Sequence, residues 1–200
     1  MSKHLDHLFK VIVVGDSGVP KTKLVHLADS TTTETTKVGC DFTIRNLVID
    51  GEKIKLQIWD TAEMHPFKIV STYYRGTSGI IIMYEVCDKT TFTNIPNWLY
   101  EINQNCDSSV IKILVGAEGP SEEQRLVRTE EAESFAEEMN LKFYETSLQE
   151  KTDVEDLFMT LAKDMVRKRK IQIEEAELQL QVEFDTVQLG ATEKRKKKCI

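Results

Sequence analysis

Residues 8–14, LFKVIVV, form a short apolar run that ends at Gly15 and leads into DSGVPKT and then a helical stretch from about Lys21 to Leu27. An apolar run of that length, closed by glycine, fits a strand buried on both faces of a parallel sheet. Strand, glycine turn and helix in succession point to an α/β architecture. The same residues carry chemistry. A loop of the form G-x-x-x-x-G-K-[ST] cradles phosphate with backbone N–H groups at a helix N-terminus. Its Lys reaches the β/γ-phosphates and its hydroxyl reaches Mg²⁺. Gly15, Lys21 and Thr22 stand at the required places, but Pro20 takes the position of the second Gly.

The remaining pattern extends that unit. FTIRNLVI (42–49) and KIKLQIW (53–59) alternate and are joined by Asp50-Gly51, a strong hairpin signal. GIIIMYEV (79–86) and IKILVG (111–116) are further buried-strand runs. Between them Phe92, Ile95, Trp98, Leu99 and Ile102 recur at helical spacing, with Pro96 near the start, where a missing N–H is tolerated. Thr129 is a candidate cap for a helix through Phe135 to Met139, with Glu130 and Glu131 in its first turn. KFYET (142–146) is a last strand, and Val154, Leu157, Phe158, Leu161, Ala162 and Met165 mark a final amphipathic helix. Strands alternating with helices, plus one hairpin, predict a mostly parallel sheet covered on both faces. The domain is expected over residues 5–170, with a flexible tail over 171–200. ELQLQVEF (177–184) alternates like an edge strand but has no evident partner, and is assigned to that tail.

Composition narrows the classes. The chain has 200 residues, is 40% hydrophobic and 30% charged, and carries a formal net charge of −7. That suits a soluble α/β domain and argues against general nucleic-acid binding. The acidic total hides a run of five cations, Lys194, Arg195, Lys196, Lys197 and Lys198, just before Cys199 and Ile200. Such a run reads either as a solvated tail or as a juxtamembrane segment. Cys40, Cys87, Cys106 and Cys199 form no C-x-x-C pair, so zinc is not expected. No signal stretch is seen, and no apolar run approaches the ~20 residues of a spanning helix. A cytoplasmic protein with peripheral membrane contact is expected.

DHLFK, GDSGV, KLQIWDTA, STYYRGTSGIIIMY, WLYEINQNCD, ILVG and FYETS together resemble Rab-family small GTPases, over roughly residues 5–168. VGCDF (38–42), KLQIW (55–59) and YYRGT (73–77) match segments that mark Rabs within the superfamily. The resemblance implies a doubly wound sheet of six strands. It also implies a GTP/GDP- and Mg²⁺-dependent switch that recruits trafficking effectors and meets Rab regulators at membranes, as a monomer. Nucleotide would lie on Gly15, Ser17, Gly18, Val19, Lys21, Thr22 and Ser147, metal on Thr22 and Asp60, and effectors on Phe42, Trp59 and Tyr73. Cys199 is the lipidation candidate, although neither C-C, C-x-C nor a C-a-a-X box is present.

The chain departs from the family pattern at five stations. Pro20 removes an N–H aimed at phosphate. Lys37 stands where the switch Thr binds Mg²⁺, and a protonated Lys has no lone pair for a metal. The segment D-T-A-G-Q reads Asp60-Thr61-Ala62-Glu63-Met64. Met64 therefore replaces the Gln that orients the attacking water, and no catalytic residue is assigned; His65 is read as a surface residue. The guanine-reading N-K-x-D becomes Ala117-Glu118-Gly119-Pro120, and S-A-K becomes Ser147-Leu148-Gln149. Two readings follow: a Rab-shaped binding module with little or no GTP turnover, and a weak, slow GTPase of poor base selectivity. A gene copy without selected function is a third.

Overall fold

The computed structural model describes residues 5–28, 42–61, 71–119, 121–149 and 151–196, with side chains up to residue 181. In chain order the elements are β1 (His7–Val14), α1 (Lys21–Ala28), β2 (Phe42–Ile49), β3 (Glu52–Asp60), α2 (Ser71–Tyr74), β4 (Thr77–Glu85), α3 (Lys89–Thr93), α4 (Ile95–Asn105), β5 (Ile111–Ala117), α5 (Thr129–Glu138), β6 (Lys142–Thr146) and α6 (Lys151–Lys196). The six strands form one sheet in the order β2-β3-β1-β4-β5-β6. Only β2 runs antiparallel to its neighbour, as a hairpin demands. Asp50 (φ 51°) and Gly51 (φ 83°) both sit at positive φ, the requirement of a two-residue turn that follows the strand twist.

Each central strand is buried on both faces. Ile12, Val14, Ile80, Ile82 and Leu114 join Phe92, Ile95, Trp98, Ile102, Ala132 and Ala136 in one core cluster. The alternate residues Val11, Val13, Ile81, Met83, Ile113 and Val115 are fully buried on the other side, where Gly79 leaves room for Leu161 and Met165 of α6. Thr61, just past β3, is 3% exposed and donates its hydroxyl to the Val13 carbonyl at 2.6 Å. Replacing Thr61 by Val keeps the shape and removes one donor from that carbonyl. The expected loss is about 1 kcal/mol, read as a lower denaturant midpoint at unchanged slope.

Three local expectations are corrected. The helical spacing from Phe92 to Ile102 is two helices, α3 capped by Asp88 (Thr90 N–H to Oδ1, 2.8 Å) and α4 with Pro96 in its first turn. Asn94 lies at the joint, and Pro96 cannot continue an upstream ladder of N–H donors. Thr129 is not the cap of α5. Arg128 holds that position without a side-chain bond, while the Thr129 hydroxyl donates to Glu145 at 3.1 Å. Residues 177–184, assigned to the tail on their pattern, lie in α6. Alternation every second residue then sets Leu178 and Leu180 roughly 200° apart around the axis, and both are two-thirds exposed. By internal packing the chain divides into residues 1–165 and residues 166–200.

Candidate nucleotide edge and aromatic face

All parallel strands end at one edge of the sheet, and β1 is where the chain order reverses direction across it. In open α/β sheets this crevice is the usual ligand site. Gly15, Asp16 and the turn to Lys21 occupy it. Gly15 has φ 149°, and a Cβ there would stand 2.3 Å from the Met83 carbonyl oxygen, so only glycine passes that point. Gly18 has φ 93° and faces open space, and Ser17 beside it is exposed.

Lys21 is 2% exposed and donates its ammonium to the carbonyls of Gly15 (2.8 Å) and Asp16 (2.6 Å). Burial pulls its pKa below the usual lysine range, against the pull of Asp60 and then Asp16. The Thr22 hydroxyl donates to Asp60 Oδ2 at 2.6 Å, so the two proposed metal ligands do converge. At the loop apex, the buried Val19 donates its N–H to the Asp16 carbonyl at 3.4 Å. The Lys21 N–H donates to the Val19 carbonyl at 2.8 Å. Pro20, between them, has no N–H.

Sequence spacing does not show how this loop is braced. The Asp16 carboxylate accepts from Trp98 Nε1 at 2.7 Å and from Asn94 Nδ2 at 2.6 Å. Those partners lie 82 and 78 residues away respectively; only the folding of the start of α4 against the end of β1 brings them together.

The end of the crevice reached by β5 and β6 has a different character. Ala117 is fully buried and its carbonyl accepts from Val86 N–H at 3.0 Å. Gly119 sits so close to Cys87 that a Cβ would meet its Sγ at 2.1 Å. Ser147 Oγ accepts from the Gln149 N–H at 3.3 Å. Leu148 has φ 53°, is 2% exposed, and donates its N–H to Thr146 Oγ1 at 3.1 Å. Glu145, next to this loop, takes both Arg125 nitrogens at 3.0 and 3.2 Å.

The aromatic residues assemble on the sheet beside the hairpin. Phe42 and Trp59 pair across the strands with centroids 4.9 Å apart, and Tyr73 meets Trp59 edge-on at 5.8 Å. Lys10 lies 4.9 Å over the Trp59 ring and donates to the Tyr73 and Arg75 carbonyls.

The sequence pattern of the Ras family covers residues 10–168. Ras-related protein Rab-13 of Canis lupus familiaris is 42% identical over 172 residues, spanning 84% of this chain and 85% of that protein. GTP-binding protein ypt2 of Schizosaccharomyces pombe is 38% identical over 202 residues, spanning 99% of each. Ras-related protein RABE1d of Arabidopsis thaliana is 44% identical over 165 residues, spanning 80% of this chain and 76% of that protein. The chain belongs to the Rab group of the Ras family of small GTPases.

Within the Rab fold the predicted residues sort clearly. Gly15, Ser17, Gly18, Val19, Lys21, Thr22 and Asp60 share the end of β1, with Ser147 at the same sheet edge after β6. Phe42, Trp59 and Tyr73 form one aromatic face. Lys37, Glu63, Met64, His65, Pro120 and Cys199 lie outside the described residues, as do the side chains of the basic run ending at Lys198. Among the described residues Cys87 and Cys106 are free thiols. No described helix is long and apolar enough to cross a membrane, and no described cluster of three or more His, Cys, Asp or Glu could hold a metal.

Proposed function

We propose that this Rab-family chain is a partner-binding module of membrane trafficking whose GTP binding and hydrolysis are impaired or absent. The observation that carries this reading is the apex of the phosphate loop. Pro20 has no N–H, and its two neighbours, Val19 and Lys21, spend theirs on carbonyls of the same loop. Two donors of an anion cradle are thus turned onto the loop itself, and the residue between them supplies none. The metal end fits better: Thr22 and Asp60 are the groups that would hold Mg²⁺, which when bound would neutralise phosphate charge.

The base end supports the same reading. Buried Ala117 offers no side-chain hydrogen bond where relatives carry Asn, and the Leu148 N–H is engaged by Thr146. The sequence adds Lys37, Glu63, Met64 and Pro120 at positions where the family places its switch Thr, γ-phosphate Gly, water-orienting Gln and guanine-reading Asp. Each charge-assisted hydrogen bond lost weakens binding by about 1.5–3 kcal/mol. Four losses sum to roughly 6–12 kcal/mol if additive, or about four to nine decades in affinity. The aromatic face of Phe42, Trp59 and Tyr73 is independent of those losses and is the surface offered to effectors and Rab regulators. The chain would act as a monomer, peripheral on cytosolic membrane faces, through its basic tail and a lipid on Cys199; two such signals give stable anchoring.

A weak, slow GTPase is the second reading, favoured by the Thr22–Asp60 contact and the retained Lys21. Purification without added nucleotide, followed by denaturation and chromatography of the supernatant, decides between them. The expected protein is empty and melts alike with and without GTP–Mg²⁺. Stoichiometric GDP or GTP, or a melt raised by several degrees, establishes the GTPase instead.

A further inference from the structure

We propose that the C-terminal extension of α6 pairs with the same helix of a second copy of this chain, antiparallel and centred on Ile171. The observation behind it is a charge pattern mirrored about one apolar residue. Arg167 and Lys168 stand four and three residues before Ile171, and Glu174 and Glu175 stand three and four after it. All five lie within the one continuous helix Lys151–Lys196. Residues three and four apart are neighbours on a helix surface. The five therefore share one face, with cations on its N-terminal half and acids on its C-terminal half. Leu178, two turns past Ile171, continues the apolar stripe.

This face is open. Ile171 is 45% exposed and Leu178 67%. Arg167, Glu174 and Glu175 are exposed and Lys168 is half-buried. None of these four charges forms an ion pair among the described residues. Helix geometry keeps them from pairing with one another along their own face, because six to eight residues of helix separate cation from acid by about 9–12 Å. The opposite face has the same design but lacks one acid: Arg169 and Lys170 precede Ile173, whereas Ala176 and Glu177 follow it. The Ile171 face is thus the complete one.

Charge order selects both the occupant and its direction. Turned end for end about Ile171, a second copy sets its Glu175 against Arg167 and its Glu174 against Lys168. The two-fold axis repeats both pairs, and Ile171 meets its own counterpart on that axis. Such an interface uses the same patch on both copies and closes as a dimer. A parallel pair in register sets each cation on its own kind and each acid likewise, which repulsion disfavours. An anionic membrane fits less well, because Glu174 and Glu175 would face it beside the cations. The charged seam is short, about 13 Å for nine helical residues, and exposed ion pairs are individually weak. The chain therefore stays a monomer in dilute solution and pairs where it is concentrated, as on the membrane faces proposed above. Only that location rests on the earlier reading.

The test is sedimentation equilibrium of the full chain over a rising range of concentration. The native chain is expected to pass from monomer to dimer as concentration rises, and to return towards monomer as salt screens the pairs. Arg167→Glu/Lys168→Glu makes the face all acidic, and Glu174→Lys/Glu175→Lys makes it all basic. Each double variant should self-associate about tenfold or more weakly, and an equimolar mixture of the two should recover the dimer. All four changes in one chain restore the mirrored order, so that variant should pair with itself and exclude the native chain. Melting curves should stay unchanged throughout, since the altered positions are on an open face. A native chain that remains monomeric at the highest concentration reached overturns the proposal. So does a dimer indifferent to these changes, or a fourfold variant that prefers the native chain to itself, which is the mark of a parallel pair. Co-sedimentation with anionic vesicles that Arg167→Glu/Lys168→Glu abolishes, in a native chain that never dimerises, assigns the cations to lipid and also overturns it. Nucleotide content of the same samples tests the impaired-site reading separately, because the seam contains none of the phosphate-loop residues.

Discussion

Replacing Arg125 by Met is expected to destabilise the folded domain by about 3–5 kcal/mol, a fall in melting temperature of roughly 6–20 °C for a domain of this size. Arg125 and Glu145 are each 13% exposed and paired through two nitrogens and two oxygens. Arg125 also donates to the Val127 carbonyl at 3.2 Å. Glu145 collects further donors: Thr129 at 3.1 Å and the Tyr84 hydroxyl at 3.4 Å. Burial, and then Glu145 itself, push the Tyr84 phenol well above its ordinary range, which keeps it a neutral donor. Removing the guanidinium leaves a carboxylate in a poorly solvated place with only neutral partners. Most of the cost is that stranded charge, not the lost bond. Adding Glu145→Gln to the Met variant should therefore recover a large part of the loss. If the two substitutions are simply additive in a denaturation cycle, the paired-charge account is wrong. The pair also braces the Thr146–Leu148 turn, so the single variant should loosen that turn to hydrogen exchange before the rest of the sheet opens.

What the sequence shows and what it hides follow from the range of the interaction concerned. Strand periodicity is local. KFYET coincides with β6 and FTIRNLVI with β2, because alternation and a turn dipeptide are written within a few residues. Glycine turns are equally local, and Asp50-Gly51 adopts the positive φ values its pattern predicts. Helix breaks are harder. Phe92 and Ile95 keep helical spacing across the joint at Asn94, so periodicity alone passes over it. The strand-like ELQLQVEF lies in a helix because pairing needs an adjacent edge, which a pattern in one segment cannot supply. Within the candidate site, motif order is enough to single out Gly15, Lys21, Thr22 and Asp60, and the fold brings them together at the end of β1. Their braces are not readable. Trp98 and Asn94 reach Asp16, and Arg125 reaches Glu145, only after the sheet is assembled.

Replacing Lys21 by Met is expected to unfold the protein more readily whether or not nucleotide is supplied. In a chain that holds GTP tightly, such a change acts mainly through lost ligand. Here the ammonium ties two loop carbonyls together at 2.8 and 2.6 Å while 2% exposed. Two hydrogen bonds from a charged donor are worth about 3–6 kcal/mol, and the relief of a buried charge takes back part of that. The net loss is roughly 2–4 kcal/mol, or about 5–15 °C in melting temperature. The pH dependence gives an independent sign. Burial depresses the folded pKa of Lys21, so between that value and the unfolded one near about 10.4 the unfolded chain binds the extra proton. Stability from this group therefore rises as pH rises through that window, and the variant lacks the rise. The gap between native and variant proteins should widen in alkaline solution, whereas titration elsewhere cancels in the comparison. A variant that melts like the native chain when both are empty, yet loses a GTP-dependent increment, would return Lys21 to the role of phosphate ligand. Equal destabilisation with and without GTP–Mg²⁺ leaves it as the strut of a loop that keeps its shape by its own contacts.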